Sequence, residues 1–179
     1  VTSDPTQVAN EFYDNDFDVV ISGIDTTEGL TQAGQKAGEG KAVFAIPYDF
    51  KDACNENEAV CLGVPYFNWG PAYLQALTTV KETGTLPPTW TWLSPDWADI
   101  NNPDTSAVGF EKGAALSADN ATKLDAFIAE LAGGLNLWTG PLNLQDGTEY
   151  LKDGEVATDL QVWYLPQLLD GMEGQSVSE

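Results

Sequence analysis

The chain has 179 residues, enough for one domain or two small lobes, and a 42% apolar to 20% charged balance that marks it as globular. Its 28 acidic residues outweigh 7 basic ones, all lysines, for a formal charge of −21; there is no arginine and no histidine. These absences exclude a phosphate-binding basic surface for nucleic acid, a Ser-His-Asp or Cys-His catalytic arrangement within the chain, and His-ligated metal or haem. The acidity itself reads either as a solvated surface or as a specific cation-binding role, the first being the plainer, and anionic membranes should repel it.

The elements follow in chain order. Asp4 is placed to cap a first helix, with Pro5 at its first position and Gln7 completing a capping box; Val8 and Phe12 share a face. Residues 18–23 form a short continuous apolar run, expected to be a strand buried on both faces. The turn Asp25-Thr26-Thr27 leads into a second helix that carries Leu30, Ala33 and Ala37 on one stripe and ends at Gly38 and Gly40. Further buried strands are expected at 42–47 and about 61–67. The first runs into Tyr48-Asp49-Phe50 and the second into Asn68-Trp69-Gly70. Pro71 then opens a helix with Tyr73, Leu77 and Val80 in helical spacing, and Gly84 stops it. Buried strands alternating with helices argue for a parallel α/β sheet, whose ligands bind at the carboxyl ends of the strands.

Cys54 and Cys61 lie in the loop between the second and third strands. They are either a disulfide or two free thiols; the disulfide reading places the chain outside the cytosol. No run approaches the ~18 consecutive apolar residues of a membrane span. The polar start at Val1 shows no signal peptide, as in a mature protein or a fragment.

The second half is different. Residues 85–105 are rich in proline and tryptophan (Pro87, Pro88, Trp90, Trp92, Pro95, Trp97, Pro103) and are expected to be an ordered connection, because three tryptophans seldom stay in water. A short strand is predicted at 107–110. Ser117 caps a helix with Leu124, Phe127, Ile128 and Leu131 on one face, ended by Gly133 and Gly134. Strands are expected at 135–143 and 149–152 around the Asp146-Gly147 turn. The chain finishes with Trp163, Tyr164 and a polar tail.

Three strand ends carry the candidate ligand residues. Tyr48-Asp49-Phe50 sets a carboxylate between two rings; it is either a clamp for a flat, hydroxyl-bearing ligand or a solvated loop. Phe67-Asn68-Trp69 offers an amide donor and acceptor between two aromatic faces, or a packing tryptophan. Asp25 and Thr26 bind a polar ligand or cap the following helix. Asp14-Asn15-Asp16-Phe17-Asp18 resembles a calcium loop only superficially: Val19 stands where glycine is required. Asn120-Ala121-Thr122 is a glycosylation sequon, set aside because it falls inside a predicted helix. No metal or cofactor is expected.

The runs Phe17-Asp-Val-Val-Ile-Ser-Gly-Ile-Asp25, Phe44-Ala-Ile-Pro-Tyr-Asp49 and Phe67-Asn-Trp-Gly-Pro-Ala-Tyr73, followed by Leu137-Trp-Thr-Gly-Pro-Leu-Asn-Leu-Gln-Asp-Gly147 and Met172-Glu173-Gly174, resemble the basic membrane protein (BMP) family of ABC-transporter substrate-binding proteins. The resemblance implies a type I periplasmic-binding fold, with a Rossmann-like parallel-sheet lobe over 1–105. Residues 106–179 would form crossover strands, a helix and a hairpin that return towards a missing N-terminal lobe. The chain would then be the C-terminal half of a two-lobed protein, similar to purine-nucleoside-binding lipoproteins and not an enzyme. The resemblance further implies an extracytoplasmic location with a lipid anchor on the missing N-terminus, an ABC permease as partner, and a small ligand held between the lobes. Asp49 matches the family's ribose-binding carboxylate. The lysine that many relatives carry after the following strand has no counterpart in Phe67-Asn68-Trp69, which directs the expectation to a neutral, hydroxylated, nucleoside-like or sugar-like ligand. The alternative is a structural or surface-assembly protein on the same fold.

Overall fold

The structure is a computed structural model that describes residues 4–86, 88 and 91–175. Pro87, Trp90 and most of the polar tail therefore lie outside the described residues. The elements are α1 (Pro5–Asp14), β1 (Val19–Ile21), α2 (Glu28–Gly38), β2 (Phe44–Ile46), a 3-10 turn (Ala53–Glu56), β3 (Gly63–Phe67) and α3 (Trp69–Thr83), then β4 (Val108–Lys112), α4 (Ala118–Ala132), β5 (Leu142–Asn143), β6 (Glu149–Leu151) and α5 (Asp159–Trp163). The chain divides into two compact units, Val1–Ala126 and Phe127–Glu179.

The first unit is mixed α/β. β1 and β2 pair in parallel, with Val20 opposite Ala45. β3 and β4 pair antiparallel, with Pro65 opposite Phe110. The extended parallel sheet expected from the sequence is thus a two-stranded parallel pair. Isolated parallel bridges, Ala45 to Cys61 and Asp49 to Tyr66, tie it to β3. The backbone bonds are specific: the Ala45 N–H donates to the Val60 carbonyl at 2.9 Å, and the Leu62 N–H donates to the Ala45 carbonyl at 3.0 Å.

The core lies on one face of β1 and β2. Leu30 and Ala33 of α2 and Ala9 and Tyr13 of α1 pack there with Val43, Ala45, Val60 and Val64. The opposite face is open. Val19 and Ile21 of β1 are exposed, Ile21 at 69%, which corrects the expectation of a strand buried on both faces. A three-residue run with strand alternation points every second side chain away from α1 and α2, the helices that pack on it.

Asp4 caps α1 through the Thr6 N–H, but Gln7 turns away to Glu11 and forms no capping box. The capping box occurs instead at α5, between Thr158 and Gln161. At the other end of α1, Lys41 Nζ donates to the Tyr13 carbonyl at 2.9 Å, placing a cation at the negative end of the helix dipole. Asp14 bonds Lys36 at 2.8 Å and Lys41 at 3.2 Å, so this first residue of the calcium-like run serves two ion pairs. The Lys36 and Lys41 hydrogen bonds hold the Asp14 carboxyl below its ordinary range.

Residues 92–106 are ordered by polar bonds and not by tryptophan burial: Trp92 and Trp97 stay half exposed. Asn101 behaves like a missing strand, donating from Nδ2 to the Phe110 carbonyl and accepting from the Phe110 N–H, each at 3.0 Å. Buried Ser106 accepts from the Asp96 N–H and donates to the Val108 carbonyl. The Asp96 carboxylate takes hydrogen bonds from Thr105 and from the Ala98 N–H, which lower its pKa.

In the second unit, β5 covers only Leu142–Asn143 of the strand expected over 135–143. β5 and β6 pair antiparallel around the Asp146 turn, with a bridge from Thr139 to Val156. Gln167 donates to Asp146 at 2.8 Å and lowers its pKa, and Gln145 donates to the carbonyls of Met172 and Gly174.

Cys54 and Cys61 form a disulfide. It closes the loop between β2 and β3, and the chain-entropy model assigns such a short loop roughly 2–3 kcal/mol. The double variant Cys54→Ser/Cys61→Ser should lose about that much stability in urea titrations, with the midpoint shifted and the fold retained.

The Tyr13 hydroxyl lies 3.2 Å from the Gly29 carbonyl and 3.0 Å from the Phe44 carbonyl, joining α1, α2 and β2. Burial pushes its pKa up to about 12. The folded state therefore holds this proton more tightly than the unfolded state does. The contribution is complete below the ordinary phenol pKa of ~10 and is lost as pH rises towards about 12. Tyr13→Phe should cost ~1 kcal/mol at neutral pH, and its stability should fall less than the wild type's over that alkaline window.

Candidate functional site

β1, β2 and the backbone at 60–67 run in the same direction, so the segments that leave their carboxyl ends emerge on one edge. The Ser22 N–H donates to the Ile46 carbonyl at 2.9 Å, which aligns the turn after β1 with the end of β2. Buried Pro47 follows and has no N–H to extend the ladder. Two residues further on, the Asp49 N–H donates to the Pro65 carbonyl at 3.0 Å, and the Phe67 N–H donates to the Asp49 carbonyl at 3.3 Å.

These two bonds hold Asp49 against the last residues of β3 with a φ of 74°. That left-handed conformation is tolerated by aspartate and asparagine and costs other L-residues about 1–2 kcal/mol. The residue type at 49 is therefore chosen by the backbone as well as by any ligand. Its side chain is half-buried.

Four aromatic rings run on from this point. Tyr48 meets Phe67 edge-on at 5.7 Å between centroids. Phe67 lies 5.2 Å from Trp69, and Trp69 stacks on Tyr73 at 6.1 Å with 22° between planes. Trp69 and Tyr73 are one helical turn apart on α3, the spacing that brings side chains together on one face. Trp69 is 55% and Tyr73 64% exposed, so the far end of the run presents open ring surface. Phe50, at 62% exposure, joins none of these ring contacts.

Asn68 is the N-cap of α3, which starts at Trp69, two residues before Pro71. Its side chain does not cap the helix. Nδ2 donates at 2.8 Å to both the Pro103 and Ser106 carbonyls, and its backbone N–H donates to the Ala107 carbonyl. Both amide hydrogens are thus committed to holding residues 103–106 beside the strand end. A cleft of about 400 Å³ lies along the first turns of α3, between Pro71, Ala72 and Gln75 and Trp92, Ser94 and Asp96.

Asp25 and Thr26 belong to the neighbouring strand end. Asp25 is exposed, and Thr26 Oγ1 accepts from the Glu28 N–H at 3.3 Å, so Thr26 serves the start of α2. Thr26 also lines an apolar groove of about 220 Å³ walled by Pro5, Val8 and Phe12 of α1 and by Ile21 and Ile24. Among the described residues no hydrogen bond joins Asp25 or Thr26 to the aromatic run. The structure therefore brings together Tyr48, Asp49, Phe67, Asn68 and Trp69, and sets Asp25 and Thr26 on an adjoining groove. Tyr73 is the addition. Its signal was the Trp69/Tyr73 helical spacing, which reads equally well as a core stripe.

Among the described residues no cluster of cysteine and carboxylate side chains is placed to hold a metal ion, and no helix is long and apolar enough to cross a membrane. No family model matches this chain, and no curated protein matches it.

Asn68→Asp should be more disruptive than Asn68→Ala. It removes the two donors and sets a carboxylate against the Pro103 and Ser106 carbonyls. Losses of about 1–3 kcal/mol are expected for Ala and more for Asp, with faster amide exchange over 103–106 as the local readout.

Proposed function

We propose that this chain is the ligand-bearing α/β lobe of a BMP-type solute-binding protein, taking a small neutral hydroxylated molecule, nucleoside-like or sugar-like. One observation carries the reading: Asp49 and the run Tyr48–Phe67–Trp69–Tyr73 are held together at the carboxyl ends of neighbouring strands. That is where ligands sit in parallel α/β sheets. The finer fold in this proposal is the Rossmann-like lobe of a type I periplasmic-binding protein, with β1, β2 and β3 as its parallel strands.

In this reading a ring of the ligand stacks on Trp69 or Tyr73, and the Asp49 carboxylate accepts hydrogen bonds from its hydroxyls. Asn68 positions the 103–106 segment beside it. With no arginine or histidine, this lobe offers an anionic ligand no bidentate clamp. A second, N-terminal lobe of the same protein would close over the ligand, and closure would be read by an ABC permease. The Cys54–Cys61 disulfide supports placing the protein outside the cytoplasm; a lipid anchor on that further lobe is part of the proposal. The role is binding, not catalysis.

A second reading, surface assembly without a transported ligand, draws on the apolar surface of α3. No residue of α3 is buried, and Leu74, Leu77 and Val80 are exposed along it. That surface suits packing against another chain.

Calorimetry with nucleosides and neutral sugars separates the two. The first reading expects binding of one class. Trp69→Ala should weaken it by about 1–3 kcal/mol through lost stacking. Asp49→Asn, which keeps the left-handed backbone, should weaken it by about 1.5–3 kcal/mol. Unchanged affinity in both variants sinks the site, and no binding of either class favours assembly.

A further inference from the structure

We propose that Asn120 is an N-glycosylation site. Asn120-Ala121-Thr122 is the one Asn-X-Ser/Thr sequence in the chain. Its position inside a helix argued against it in the sequence; the structure changes the weight of that objection. α4 begins at Ala118, so Asn120 lies in its first turn, where backbone N–H groups have no partner within the helix. The Asn120 N–H lies 3.3 Å from Ser117 Oγ, so the side-chain cap belongs to Ser117 and the Asn120 carboxamide is not needed for it.

Asn120 and Thr122 are both exposed, and α4 buries no residue. A glycan on this turn would displace no core contact. The neighbouring side chains at 118, 119 and 121 are Ala, Asp and Ala, with no bulky group to obstruct it. The second observation is independent of the motif. The Cys54–Cys61 disulfide belongs to an oxidising compartment, the side of the membrane on which proteins receive N-linked glycans.

The donor is a lipid-linked oligosaccharide, delivered by its transferase before α4 has folded. Asn120 Nδ2 attacks the anomeric carbon of the first sugar, and an N–C bond forms. The bond from that carbon to the lipid phosphate oxygen breaks, and the phosphate leaves with the electron pair. One amide proton passes to a carboxylate base of the transferase. No oxidation or reduction is involved.

The test uses the protein from its natural source. Cleavage after Lys112 and Lys123 releases residues 113–123, which contain the whole sequon. Mass spectrometry should find this peptide carrying a sugar increment at Asn120. Thr122→Ala, expressed in the same cells, should remove the increment, and Thr122→Ser should keep it. A wild-type peptide found only at its unmodified mass overturns the proposal, as does an increment that survives Thr122→Ala.

Discussion

The first unit depends on the backbone around Cys61. On one side, this residue bridges in parallel to Ala45, through the bonds from Ala45 to Val60 and from Leu62 to Ala45. On the other side its carbonyl accepts from the Ala115 N–H at 3.1 Å, and the Leu62 carbonyl accepts from the Gly113 N–H at 3.0 Å. Gly113 is required for that approach, because a Cβ there would collide with the Cys61 carbonyl. The sulfur ties the same residue to Cys54 and so shortens the free connection from β2. Parallel strands cannot be joined by a tight hairpin, and the closure of their connection must be stabilised by something else. Here a covalent bond does so at the residue where the parallel pair and the antiparallel pair meet.

The strand-end site inherits its geometry from that junction. With Ala45 registered against Cys61, the chain reaches Asp49 opposite Tyr66, and the two bonds around Asp49 set its left-handed backbone. Tyr48 then meets Phe67, and the rings continue along the first turns of α3. Polar side chains do the rest. Asn68, Asn101 and Ser106 supply the hydrogen bonds that hold 94–110 in place, although the composition of that stretch directs attention to its tryptophans. The other faces of β1 and α3 bury little, and their exposed Val19, Ile21, Leu74 and Leu77 are the largest contrast with a self-contained core.

The sequence alone determined the alternation of helices and strands through β3, the Pro5 start of α1, the Gly84 stop of α3 and the loop that holds the cysteines. Each rests on local chemistry: periodicity, a fixed proline φ, a glycine at φ 82°, a short spacing. It also placed Tyr48, Asp49, Phe67 and Trp69 at strand ends, because an apolar run that stops in polar and aromatic residues marks where a buried strand surfaces. Only the tertiary structure decided how those ends are used. Whether Val19 and Ile21 are buried depends on what covers the far face of the sheet. Whether Gln7 closes a capping box depends on a competing bond to Glu11, and whether Asn68 faces a ligand depends on carbonyls some 35 residues away in the chain. Such outcomes turn on contacts between distant segments, which leave no period in the sequence. The residue types were visible from the start; their partners were settled by packing.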